Sequence, residues 1–340
     1  MAGGSLPGTG TAGTGTKTPV SITVHIPGGG SSSSTSIVRR TPQTISAATQ
    51  SITVSVNGGV PQVFNATAPT CTSDQNGLTC TLVVGAPYGN DGFLVITYSG
   101  QNGTGTALNA AAFTLNVTQG GSNAATATAG NLLIVNSSAD GSGSGFSCSG
   151  GTCTLREAVA EASTTAGVYT AIMFQNVSTI AVSSQIEIGH SGAQNVILLG
   201  PGATVASAGI GAPSASSGVT ISGGNTTGIL KVDSGSFLSV VGLTLANGSN
   251  AADGLGGAIE NNGGSLAIIN AIFSGNQSVV GTATTDGSFG SGGAVYDNGT
   301  GSGSSIVTST FTNNVSEYGG AYYIEFQSGG ASFSHCLFST

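Results

Sequence analysis

Gly256-Gly257-Ala258-Ile259 returns as Gly292-Gly293-Ala294-Val295 and again as Gly319-Gly320-Ala321-Tyr322. A second phrase follows each copy at a nearly fixed distance. Phe273-Ser274-Gly275-Asn276 starts 17 residues after the first glycine, and Phe311-Thr312-Asn313-Asn314 starts 19 after the second. Phe338 lies 19 residues after Gly319, so the third copy keeps register. A chain built this way places each unit against the one before it. It cannot close around one central core, and it predicts a stack of coils whose inward positions recur. Aligned copies bring Asn276 opposite Asn314 and Asn262 opposite Asn298, where amides at turns can form ladders. The longer interval between the first two copies predicts a loop over 277–291.

The 340 residues include 58 Gly and only 18 charged side chains, 13 acidic plus 5 basic. Such a polar, uncharged composition suits secreted all-β proteins and is poor for long helices. Net charge is −8, and the bases are Lys17, Arg39, Arg40, Arg156 and Lys231. So few cations argue against nucleic acid as a partner, because nothing would neutralise phosphates. No run of 18 apolar residues is present, so no membrane-spanning helix is expected.

Cys71 and Cys80, and Cys148 and Cys153, each flank a Gly- or Asn-containing turn, as a local disulfide requires. Cys336 is left over as a buried free thiol. His25, His190 and His335 lie far from these pairs, which disfavours zinc. Two disulfides imply an oxidising, extracytoplasmic compartment. Met1-Ala2-Gly3-Gly4-Ser5 has neither the basic start nor the apolar centre of a signal peptide. The third repeat stops at Thr340, one residue before its Asn. The expectation is a piece of a longer exported protein.

Residues 1–16 read as a flexible tail. Over 17–119, short alternating runs such as Val20-Ser21-Ile22-Thr23-Val24 and Ile52-Thr53-Val54-Ser55-Val56 predict a β-sandwich, with further strands at Leu78–Val84, Phe93–Tyr98 and Phe113–Val117. The pattern resembles immunoglobulin-like modules of bacterial surface proteins. Residues 120–130 read as a linker. Residues 131–169 hold a strand, the second cysteine pair and one short helix at 154–162. Thr154 and Glu157 form its capping box, and Leu155, Ala158, Val159 and Ala162 form its apolar stripe. The helix is expected to cover the N-terminal end of the coils at 170–340.

Cys153-Thr154-Leu155-Arg156-Glu157-Ala158 resembles the Cys-Ser-Leu-Arg-Glu-Ala motif that precedes right-handed parallel β-helices in bacterial exported proteins. Val135-Asn136-Ser137-Ser138-Ala139-Asp140 is similar to the opening of that family. The GGA-(Ile/Val) and Phe-x-x-Asn phrases resemble repeats of polymorphic outer-membrane proteins and related adhesins. The resemblance implies an all-β chain: an Ig-like sandwich, then a right-handed parallel β-helix with one capping helix.

Parallel β-helices also carry polysaccharide lyases and glycoside hydrolases, which need paired carboxylates or a base. The repeat alignment sets Glu260 opposite Tyr296 and Asp297 opposite Asn261. The two acids are one strand position apart and face opposite ways. Lys231 is the sole Lys or Arg after Arg156, and with Asp233 it reads as a solvated surface pair. No catalytic, cofactor or metal residue is assigned. Arg156 and Glu157 read as anchors of the helix. The expected function is a non-enzymatic surface or adhesin-like stalk whose loops bind a polysaccharide or cell-surface ligand. The alternative is a carbohydrate-active β-helix enzyme with its catalytic coils outside this stretch.

Overall fold

The computed structural model describes residues 17–27, 48–56, 60–74, 77–105, 107–141, 148, 152–165, 168–200, 218–251, 253–278, 290–299, 304–325 and 330–340. The expected tail at 1–16, the Arg39-Arg40 pair and most of the loop at 277–291 lie outside these residues. The fold is predominantly β, with parallel sheets, and one α-helix is placed among the described residues.

Among the described residues, eight strands come first: β1 (Thr18–Pro27), β2 (Ser51–Val56), β3 (Gln62–Asn65), β4 (Cys71–Asp74), β5 (Gly77–Ala86), β6 (Gly89–Tyr98), β7 (Ala107–Val117) and β8 (Ala124–Val135). They form two layers, β4-β5-β1-β8 and β3-β2-β6-β7. Alternation explains the core between them. Val20, Ile22, Val24 and Ile26 of β1 point inward against Ile52, Val54, Phe93, Val95 and Phe113. Phe93 and Phe113 are directly opposite in register and stack at 5.2 Å. Cys71 and Cys80 are also opposite one another and form a disulfide.

Helix α1 (Leu155–Glu161) follows, and then the coils. The first holds β9 (Val168–Phe174), β10 (Thr179–Ala181) and β11 (Ile186–Ile188). The second holds β12 (Asn195–Leu199), β13 (Thr220–Ser222) and β14 (Leu230–Asp233). The third holds β15 (Phe237–Val241), β16 (Thr244–Ala246) and β17 (Ile259–Asn262). The fourth holds β18 (Ser265–Ile269), β19 (Ile272–Ser274), β20 (Gln277–Ser278) and β21 (Val295–Asp297). The fifth holds β22 (Ser304–Val307), β23 (Thr310–Thr312), β24 (Val315–Ser316) and β25 (Tyr322–Ile324). Strands β26 (Ala331–Ser334) and β27 (Leu337–Ser339) begin a sixth.

Every strand in the coils pairs in parallel with its counterpart one coil away, giving three long faces: β9-β12-β15-β18-β22-β26, β10-β13-β16-β19-β23-β27 and β11-β14-β17-β21-β25. Inward residues form columns. Ile180, Ile221, Leu245, Phe273, Phe311 and Phe338 align rung by rung. The rings of Phe273, Phe311 and Phe338 stack at 4.7 and 5.0 Å. The recurring glycine has a backbone cause. Gly256, Gly292 and Gly319 have φ of 60, 68 and 62°. A Cβ on them would lie 1.9, 2.1 and 2.5 Å from the carbonyl oxygens of Ile259, Val295 and Tyr322. Only glycine fits that corner without displacing the next strand.

Residues 120–130 are not a linker. Asn123 closes a turn by accepting from the Thr118 amide at 2.9 Å and donating to its carbonyl at 3.0 Å. From Ala124 the chain is already strand β8. Its first half pairs with β1, Ser21 opposite Ala124 through His25 opposite Thr128. Its second half pairs with β9, after a register shift between Ala129 and Leu132. One ten-stranded sheet therefore runs from β4 through to β26. The small alternating residues Ala124 to Thr128 supply no turn signal stronger than this pairing.

Within the layer β3-β2-β6-β7, strands β6 and β7 are covered on both faces. Phe93 and Val95 face β1 and β5, while Leu94, Ile96, Tyr98, Ala110 and Ala112 pack on Ala171, Ile197, Leu199, Val241 and Ile269 of the coils. Apolar residues at consecutive positions along β6 are the mark of a strand buried on two sides.

Candidate functional site

Among the described residues, a column of ionisable side chains runs along the side of β11-β14-β17-β21-β25 that faces away from the core of the coils. Register puts Glu187 beside Lys231, Lys231 beside Glu260, Glu260 beside Tyr296 and Tyr296 beside Tyr323. The alternate residues Leu230, Val232 and Ile259 point into the core. Neighbouring rungs are ~4.8 Å apart, so these side chains meet in sequence order along one column.

Lys231 Nζ binds Glu260 Oε1 at 3.1 Å, and the Glu260 side chain is only 3% exposed. Asn250 donates to the other Glu260 oxygen at 3.4 Å. Burial draws the Lys231 pKa down, but its hydrogen bond to Glu260 and the charges of Glu260, Asp233 and Glu187 reverse this, leaving it raised. Glu187 is bonded to His190 Nδ1 at 2.6 Å. It also hydrogen-bonds the carboxyl group of Asp233. Burial, then the Glu187 charge and hydrogen bond, push Asp233 up. Tyr296 donates to Glu325 at 3.3 Å. Burial, then Glu325, raise the Tyr296 hydroxyl to about 12. The Tyr296 and Tyr323 rings stack at 6.0 Å with nearly parallel planes, so each covers a face of the other.

Acids are thus found in register after all. Glu187 and Glu260 share the column with Lys231 between them, and Lys231 is no solvated pair with Asp233 alone. The three repeats begin at Gly256 and do not include Glu187, so their alignment could not show it. Asp297 instead points inward. It is 1% exposed and accepts from Asn261 at 2.6 Å, from the Gly299 amide at 3.0 Å and from Tyr322 at 2.5 Å. Burial, then Asp297, push the Tyr322 hydroxyl well above its usual range.

The motif residues form a clasp at the first coil. Thr154 and Glu157 make both bonds of a capping box, at 3.3 and 2.8 Å. Leu155 is buried with Ala158 and Val159 against the core. Arg156 donates to both oxygens of Asp140 and to the carbonyls of Ser184 and Gln185. Asp140 in turn accepts from the Ser183 amide at 2.8 Å. Cys148 and Cys153 form a disulfide beside the helix, and the Cys153 backbone is bonded to Asn136. Cys336 is unpaired and half-buried, and burial pushes its thiol up. Asn276 and Asn314 hold one another and the backbone of neighbouring coils.

Among the described residues, no three His, Cys, Asp or Glu side chains are grouped to hold a metal ion. No helix among them is long and apolar enough to cross a membrane. Comparison with protein-family models, curated proteins and solved structures found no match.

Proposed function

We propose that this chain is an exported surface stalk, an Ig-like module fused to a right-handed parallel β-helix, that binds a polysaccharide or cell-surface ligand without catalysing a reaction. The observation that carries the reading is the ion pair of Lys231 with Glu260. Lys231 is the sole Lys or Arg of the coils, and its raised pKa keeps it protonated. The ion pair with Glu260 thus makes Lys231 a poor acceptor for the proton that a lyase must remove. Two disulfides support an oxidising location. The resemblance at 153–158 and the three repeats support the family assignment. The test is to expose the purified chain to immobilised pectins, alginates, glycosaminoglycans and xylans, with and without calcium. Retention without new reducing ends or unsaturated products is the expected result. Turnover lost on Lys231→Ala would overturn it.

A second reading, a carbohydrate-active enzyme, draws on one observation. Asp233 and Glu187 share a hydrogen bond, and Asp233 is shifted towards its protonated form, as a general acid would be. Turnover abolished by Asp233→Asn would favour this reading.

A further inference from the structure

We infer that β1 and β8 form a shear clamp, which lets the chain bear tension between its N-terminal side and a ligand held on the coils. The inference rests on the stalk reading for its use, and on strand geometry for its mechanics. β1 and β8 are parallel neighbours, with Ser21 opposite Ala124 and His25 opposite Thr128. The chain enters at the N-terminal end of β1 and leaves for the coils from the C-terminal end of β8. A pull on these two points slides the strands past one another. Bonds between parallel strands are evenly spaced, so they share such a load together rather than breaking one by one. β1 is held on its other edge as well, by β5 in unbroken register from Thr18 opposite Ala86 to Pro27 opposite Gly77.

The load then has a path into the coils. β8 continues in the same sheet and pairs with β9 from Thr128 opposite Val168 to Val135 opposite Phe174. Arg156, through Asp140, Ser184 and Gln185, ties the segment after β8 to the first coil. The coils also pack on the outer face of β6 and β7, a second contact between the two parts. Forced rupture is governed by the unfolding barrier along the direction of pull. The geometry therefore makes resistance depend on direction.

The test pulls single molecules of the chain by cysteine handles, in a Cys336→Ser background. Lys17, Ser122 and Ser138 are exposed and lie at the start of β1, just before β8 and just after β8. Handles at Lys17→Cys and Ser138→Cys load the clamp in shear. Handles at Lys17→Cys and Ser122→Cys peel the same strands apart from one end. At equal pulling speed, the shear pair should rupture at a several-fold higher force than the peel pair. Equal forces, or a weaker shear pair, would overturn the clamp. The measurement uses no ligand, so failure of polysaccharide binding would sink the stalk reading alone.

Discussion

Asn276 and Asn314 are 38 residues apart, and their side chains meet, with Asn276 Nδ2 donating to Asn314 Oδ1 at 2.9 Å. Asn276 also accepts from the Gly248 amide at 2.8 Å and donates to the Leu245 carbonyl at 3.1 Å. Three successive coils are joined through one fully buried amide. Asn276→Ala should therefore cost about 2–4 kcal/mol, since two buried backbone groups lose their partner. Urea unfolding would measure it. A loss under the error of the fit would show that the ladder adds nothing to the coil stack.

Lys231 and Glu260 make a second coupled pair. Lys231→Met leaves the buried Glu260 carboxylate without its ion partner, and a loss of about 3–5 kcal/mol is expected. Adding Glu260→Gln removes the stranded charge and should restore most of it. A double-mutant cycle on denaturant midpoints checks both values. Strict additivity of the two changes would refute the pairing.

Asp233 gives the pH dependence a sign. Its folded pKa is raised above the usual 3.8 by burial and by Glu187. A raised acid stabilises the fold fully below its unfolded pKa, and this stabilisation fades as pH climbs through the folded pKa. Thermal unfolding from pH 3.5 upward should show that loss. Asp233→Asn should flatten it, because the amide keeps a hydrogen bond to Glu187 without ionising. Unchanged pH profiles in the variant would place the effect elsewhere.

The two-sheet unit and the coils should unfold together. Ala112 is fully buried where β7 meets the coils, so Ala112→Asp puts an unpaired charge between the two parts. Amide exchange should rise in β6 and β7 and equally in β9, β12 and β15. Leu155→Asp should spread in the same way, contrary to the independent melting that a flexible linker at 120–130 implies. Exchange confined to one part would contradict the shared sheet.

Much of the coil architecture was legible because a repeat exposes its own register. The glycine corners, the Asn pair, the phenylalanine column and the Thr154–Glu157 capping box each depend on residues at fixed local spacing. Three residues before Phe273, Phe311 and Phe338 stand Asn270, Thr308 and His335, and these share a left-handed backbone with φ of 51, 47 and 54°. The local cysteine pairs could also be read, since a short turn leaves little choice of partner.

Other relationships needed the tertiary structure. Glu187 and Lys231 are joined by strand pairing across a long connection with no repeated phrase, so no spacing rule links them. The packing of β6 and β7 on the coils left a weak trace, the apolar run Phe93 to Ile96. Read as alternation, that run predicts one buried face; read for its continuity, it signals two. The Ala124–Thr128 stretch shows the same limit, because small residues there fit a linker or a strand equally well. The sequence by itself determined that the chain would stack coils and where each coil would turn, because steric fit at a corner is a local property. Which strand lies beside β8, which charges meet and which sheet is buried twice were decided by tertiary structure, because pairing and desolvation depend on surfaces that exist only once the chain has closed on itself.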